Sequence, residues 1–356
     1  MTDVNTDGPA AGAAEKKAPA RRPSRGLLWP LLILAALVLV NVIATGSVDF
    51  VLPQWQDGRM GGPFVTVLRN SAPLLLVALG MTLVIAVKGI DLSVGAVYAI
   101  AAAVACQFLI GGDQQALGRV VLAVALALAV AAAIGAWNGT MVSVFGIQPI
   151  VATLVLMIAG RGIAQLVTGG QIPNVDDAGP FGGLGRGSVL TVPVPILIGL
   201  AVLLLLALLT RKTAMGMLLE AVGGNPEASR LSGIRARELT LAVYLICGLL
   251  AGLAGLISAS NLGSADANNG GLWIELDAIL AVVLGGTALT GGRFHLLGTA
   301  LGVVIIKTLE VTIINVGLSS QWQFTAKAVV VFAVALLQSP EFRRRLQPPT
   351  RKKDRS

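Results

Sequence analysis

Ten separate apolar runs recur along the chain, at roughly 27–45, 72–87, 92–110, 119–136, 147–168, 189–210, 239–260, 274–290, 296–316 and 322–338. Most are about 20 residues long, the length at which a helix rising 1.5 Å per residue crosses the roughly 30 Å hydrocarbon layer of a bilayer. A single soluble core has no room for so many, so lipid is the expected solvent. Composition agrees: 55% of the residues are hydrophobic and 12% charged, the latter about half the share usual in soluble domains. Because backbone groups in hydrocarbon must bond within their own segment, the expected fold is all-α, a polytopic membrane protein of about ten transmembrane helices.

Charge orients the bundle. The formal net charge is +8, and in a soluble protein a pI of 10.0 would raise nucleic acid as a partner. Here 12 of the 26 basic residues lie at the two ends, from Lys16 to Arg25 and from Arg343 to Arg355. The positive-inside rule then puts both termini in the cytoplasm and requires an even number of spans. Residues 1–26 read as a disordered basic tail followed by a retained span, 27–338 as the membrane domain, and 339–356 as a second basic tail. The connections agree with this count. Segment 211–238, with Arg211, Lys212, Arg230, Arg235 and Arg237, falls inside; segments 46–71 and 169–188, with Asp49, Asp57, Asp176 and Asp177, fall outside.

Two halves of similar hydropathy flank 211–238, and each holds a glycine-rich break, at Gly89–Gly95 and at Gly285–Arg293. An inverted repeat with broken or re-entrant helices fits that pattern, and such breaks often mark a transporter's pathway. The eighth run is short and bounded by glycine.

Catalytic chemistry is missing from the pattern. No phosphate-cradling P-loop occurs, since Gly-Lys is absent from the chain. The single histidine, His295, sits in a turn, and Cys106 and Cys247 lie in apolar runs far from any metal-ligand spacing. No enzyme, cofactor or metal site is expected.

The most informative polar stretch runs from Gly223 to Ile234. Asn225 is a good N-cap, Pro226 suits a first turn, Glu227 complements the positive helix end, and Gly233 fits the position after the helix. This spells a bounded surface helix, either an ordinary connection or a docking helix for a cytoplasmic partner. Glu220 would lie on the helix leading into it, with Ala228 and Ser232 on the helix itself.

Polar side chains within apolar runs form the second signal, because each is costly unless it faces a bundle interior or water. Asp91 and Ser93 fit either a cap for the next helix or a pathway. Arg161 and Gln165, four apart, fit either a polyhydroxylated ligand or interhelical bonding. Asp266, Asn268, Asn269, Trp273, Glu275 and Asp277 lie near the outer end between the seventh and eighth spans. They have the donors, acceptors and stacking ring that a sugar needs, and equally those of a capped turn. Asn138, Gln148 and Lys327 are further candidates, whereas Lys307 and Glu310, at i,i+3, suit an ion pair. Gly248/Gly252 and Gly298/Gly302 have the spacing of close helix packing.

Taken together, Gly89-Ile90-Asp91-Leu92-Ser93-Val94-Gly95, the loop Gly223–Ile234 and Glu275–Gly286 resemble the membrane permease of ribose/galactose-type ABC sugar importers. The likeness runs from about 27 to 338. Gln56-Asp57-Gly58-Arg59, Gly160–Gln165, Ala265–Asp277 and Gly291-Gly292-Arg293-Phe294 bring it nearest to galactofuranose-type permeases. The resemblance implies a multi-pass protein of the bacterial inner membrane and a transport subunit surrounded by lipid. It further implies pairing with a second permease subunit, a cytoplasmic subunit that binds ATP and Mg, and a periplasmic or lipid-anchored sugar-binding protein. It assigns Gly223, Asn225, Ala228, Ser232 and Gly233 to the family's coupling loop, and Asp91 and Ser93 to its Gly-Ile-Asp-Leu-Ser signature. Lys88 departs from the small or neutral residue more usual there. Alternatives are a permease for branched-chain amino acids, an ion-coupled transporter using Asp91, Glu275 or Asp277, and a membrane scaffold.

Overall fold

The computed structural model describes residues 28–56, 59–176, 179–319 and 321–338. The two basic tails, Asp57 and Asp177 lie outside the described residues. Each expected span has a helix: α1 (Leu28–Thr45), α2 (Pro63–Ala86), α3 (Val94–Ile110), α4 (Leu117–Ser143) and α5 (Pro149–Thr168). After a single helical turn, α6 (Gly183–Arg186), follow α7 (Val194–Lys212), the short helices α8 (Met215–Gly224) and α9 (Pro226–Leu231), and α10 (Ala236–Leu262). The chain closes with α11 (Ile274–Leu284), α12 (Leu296–Asn315) and α13 (Trp322–Gln338).

The helices α2, α4, α5, α7, α10 and α12 are long and apolar enough to cross a bilayer unaided. By contrast α11 has 11 residues, about 16 Å of helix and half the thickness needed. The expected eighth span, 274–290, therefore stops at Leu284, where Gly285 and Gly286 turn the chain. Two further boundaries differ from expectation. The second helix begins at Pro63 rather than near 72, because proline suits a first helical turn. The sixth begins at Val194, because Ser188–Val189 and Val192–Pro193 (β1 and β2) form a tight hairpin. Gln54–Gln56 and Arg59–Gly61 (β3 and β4) make a second small hairpin, so the all-α bundle carries two minor β elements.

Helices α2 and α10 form the centre. Helix α2 is largely buried, whereas α5 lies at the edge of the bundle, packed on α3 through Gly160. The packing is made close by glycine. A Cβ on Gly248 would meet the Ala131 carbonyl at 2.6 Å, and one on Gly252 the Ala131 side chain at 2.5 Å, which brings α10 against α4. Gly298 and Gly302 bring α12 onto Gly285 and Ala281 in the same way. Outside this core, Leu122 and Leu126 of α4, Val155, Ile158 and Leu166 of α5, and Leu204, Leu205 and Leu208 of α7 face outward. So wide an apolar exterior is intolerable in water and natural in lipid. Both cysteines are buried free thiols.

Candidate coupling surface and polar pathway

The expected surface helix is α9. Asn225 is its N-cap: Oδ1 accepts from the Glu227 N–H at 3.1 Å and the Ala228 N–H at 3.0 Å. Pro226 occupies the first turn, and Ser232 Oγ donates to the Ala228 carbonyl at 2.9 Å. The helix ends where Gly233 takes φ +83°, a conformation that glycine adopts without strain. Glu220 lies on α8, as expected, and lines a groove of about 370 Å³ with Arg211, Met217 and His295. Met217 of α8 and Leu231 of α9 stand well out from the surface, at 69% and 79% exposure.

Beneath this surface the second glycine-rich break meets the end of α2, just before the first break. The Gly292 N–H donates to the Ala86 carbonyl at the end of α2 at 2.9 Å. Lys88 sits here with φ +64°, and its Nζ donates to the Gly224 carbonyl at 3.1 Å. The residue that departs from the family pattern thus faces the α8–α9 segment.

Further along the first break, Asp91, Ser93 and Asn138 are each at most 1% exposed. Asp91 Oδ1 accepts from the Ser93 N–H at 2.9 Å and from Ser93 Oγ at 2.6 Å. Asn138 Nδ2 donates to Ser93 Oγ at 2.7 Å and ties α4 to the start of α3. Asn138 Oδ1 and the Tyr244 hydroxyl are buried with no hydrogen-bond partner among the described residues.

A second polar cluster gathers where α5 passes the 263–273 segment. Arg161 donates to the Gly270 carbonyl at 2.5 Å, and Gln165 Nε2 to Asn268 Oδ1 at 2.7 Å. Asp266 accepts from the N–H groups of Asn268 and Asn269 and from the Asn269 amide. Those Asn269 bonds, aided by Asn268 and Arg161, hold its carboxyl below the usual carboxylate range. Glu275, 3% exposed, and Arg161 both face Gly95 at the start of α3, and Glu275 Oε2 has no hydrogen-bond partner among the described residues. The eight candidates from α5, this segment and the start of α11 do not all converge. Asp277 is bound in an ion pair with Lys327, and Trp273 lines a separate groove of about 670 Å³ with Phe324 and Lys327.

Asp277 belongs to a half-buried network of four charges. Lys327 Nζ lies 2.8 Å from Asp277 and 2.8 Å from Glu310, and Lys307 Nζ lies 2.9 Å from Glu310. The i,i+3 pair expected from spacing is present, with Lys327 of α13 added to it. Sequence reasoning passed over Arg69, Asn70, Tyr98, Ser258 and Asn261, which line a polar cavity of about 330 Å³ with Asn269 and Asp277. Arg69 lies in segment 46–71, expected as an external connection; the sequence signal for a helix there is Pro63, which opens the helix that carries it.

A lipid-facing helical bundle, glycine-rich breaks beside buried polar groups, and a capped surface helix that follows α8, itself resting on the end of α2 and the second break, define a multi-pass membrane permease. The chain belongs to the permease family described as "Branched-chain amino acid transport system / permease component", whose model matches residues 64–338. It is similar to the galactofuranose transporter permease protein YtfT of Escherichia coli (strain K12), 45% identical over 90% of this chain and 93% of that protein. It is 42% identical to the fructose import permease protein FruF of Bifidobacterium longum (strain NCC 2705), over 89% of both chains. The ribose import permease protein RbsC of Escherichia coli (strain K12) is 39% identical over 86% of this chain and 92% of its own. No solved structure matches.

Proposed function

We propose that the chain is the permease subunit of an ATP-driven importer that carries a monosaccharide across the bacterial inner membrane. The observation that carries this reading is similarity along nearly the whole chain to permeases named for galactofuranose, fructose and ribose. Chemistry supports it. Arg161, Gln165, Asp266, Asn268 and Asn269 offer hydroxyl-binding donors and acceptors at one rim, and Asp91, Ser93 and Asn138 line the break nearer the α8–α9 surface.

In this reading a second permease subunit completes the path. A cytoplasmic ATP-binding subunit, which holds ATP and Mg, docks on the coupling loop at Glu220, Asn225, Ala228, Ser232 and Gly233, while Gly223 of the same loop is buried against the bundle. A sugar-binding protein delivers the solute from outside, and both termini lie in the cytoplasm. Hydrolysis in the partner moves the docking segment, and the bundle alternates its access. The description of the family model favours a second reading, a branched-chain amino acid as cargo.

The test is reconstitution with the candidate ATPase and binding protein, followed by ATP-dependent uptake of labelled furanoses, pyranoses and leucine. Uptake of one sugar, abolished by Gly233→Arg, is the expected result. Uptake of leucine alone would transfer the assignment to amino acids. Solute entry without ATP, unaffected by Gly233→Arg, would refute the docking assignment.

A further inference from the structure

At Gly223 the coupling segment meets the bundle backbone against backbone. Gly223 of α8 is buried. A Cβ built on it would overlap the Ala86 carbonyl oxygen and lie 2.5 Å from the Gly292 nitrogen. Those two atoms are the partners of the hydrogen bond joining the end of α2 to the second break. One missing side chain therefore lets α8 rest on a point where the end of α2, which leads into the first break, is fastened to the second break.

The surroundings leave this point little freedom. Lys88, just before the first break, donates to the Gly224 carbonyl, and Gly291 packs over the Lys88 stem. Deeper in, Thr82 of α2 and Thr299 of α12, both fully buried, are bonded through their hydroxyls at 2.9 Å. Beyond the junction, the first break runs to Asp91 and Ser93 and through Asn138 to α4. The second break runs into α12 by way of Thr287 Oγ1, which accepts from the His295 N–H at 3.1 Å.

We propose that Gly223 is a positioning residue for transport, through which displacement of the coupling segment moves both glycine-rich breaks together. Long side chains at such a contact would change rotamer and absorb a shift of an ångström. Main chain against main chain has no such compliance, and close-packed interiors transmit strain. The contact also reaches both halves of the bundle at once, so one movement can turn the elements carrying Asp91 and those leading into α12. This inference rests on the proposed function and adds to it the place where the movement enters the bundle.

The test compares Gly223→Ala with Gly224→Ala in the reconstituted complex, reading sugar moved per ATP hydrolysed. Both changes raise helix propensity alike, but a Cβ on Gly224 meets nothing within 4 Å and leaves its carbonyl in place for Lys88. For Gly223→Ala the ratio of sugar moved to ATP hydrolysed is expected to fall about ten-fold, an ordinary loss of coupling. Gly224→Ala is expected to keep the wild-type ratio. A preserved ratio in Gly223→Ala, an equal loss in Gly224→Ala, or a proportional fall of hydrolysis and uptake would each overturn the inference. If Gly223→Ala does not insert, Lys88→Met decides: a ratio lowered about three-fold or more supports the junction, and an unchanged ratio overturns it. Absence of ATP-driven uptake in the wild type sinks the proposed function and this inference with it. Wild-type uptake with an unaltered Gly223→Ala ratio sinks the inference alone.

Discussion

Replacing Lys327 with methionine removes the cation shared by Asp277 and Glu310 while keeping an apolar stem of similar length. Each contact is 2.8 Å long, and Lys327, Asp277 and Glu310 are only 14%, 19% and 19% exposed. At an effective dielectric near 20, one such contact represents about 6 kcal/mol of gross attraction, most of it offset by desolvation of the charges. What decides the variant is the charge left behind. The four groups are neutral as a set; without Lys327, two carboxylates share Lys307 and one negative charge stays uncompensated at the edge of the bundle. Breaking a fully buried pair costs about 3–5 kcal/mol, and the residual exposure reduces this to roughly 2–3 kcal/mol. Thermal unfolding in detergent, followed by size-exclusion chromatography, should then show a melting temperature lower by roughly 3–4 °C. The double variant Lys327→Met/Asp277→Asn restores neutrality and keeps the Lys307–Glu310 pair, so it should recover at least about 1 kcal/mol, a coupling of the size expected for touching residues. A melting temperature within about 1 °C of wild type for Lys327→Met, or simple additivity in the double variant, would refute the reasoning.

The remaining expectations are smaller in scope. Asn225→Ala removes the acceptor for two N–H groups of α9, costs about 1 kcal/mol of local helix stability, and should weaken capture of the ATP-binding partner in a titration on immobilised permease. Ser93→Ala takes a hydroxyl from Asp91 and an acceptor from Asn138; a loss of about 1–3 kcal/mol in thermal unfolding is expected, and an unchanged unfolding midpoint would show the cluster to be solvated. Gly252→Leu forces a branched side chain into Ala131, so α4 and α10 should separate at a cost above about 2 kcal/mol, read as lost monodisperse protein after extraction. The Asp266 carboxyl is depressed, so its contribution is complete above its unfolded value near about pH 4 and is lost as pH falls through the lower folded value. Proteolysis of the 263–273 segment should therefore stay constant from about pH 5 to 8, and a rise near about pH 6 would contradict this assignment.

Ten helices stand where ten apolar runs stood, because in lipid a long apolar run has one way to satisfy its backbone, and that demand is local. The cap at Asn225 and the stop at Gly233 were legible for the same reason: each acts within a few residues of itself. The early end of α11 and the early start of α2 were less legible, since glycine and proline mark turns without saying how far neighbouring helices reach.

What the sequence by itself determined is the class of fold, the presence of two glycine-rich breaks and the bounded helix between the halves. Only the tertiary structure decided which of these touch. The union of Ala86, Gly223 and Gly292 joins residues far apart in the chain through backbone atoms, and backbone atoms leave no side-chain pattern to read. The partition of the acidic residues was likewise decided in three dimensions: Asp277 turns to Lys327, Glu275 to the start of α3, and Asp266 to its own loop. Their spacing along α11 and its preceding turn is compatible with all three fates. The choice depends on which helix packs against which face, a property of the assembled bundle.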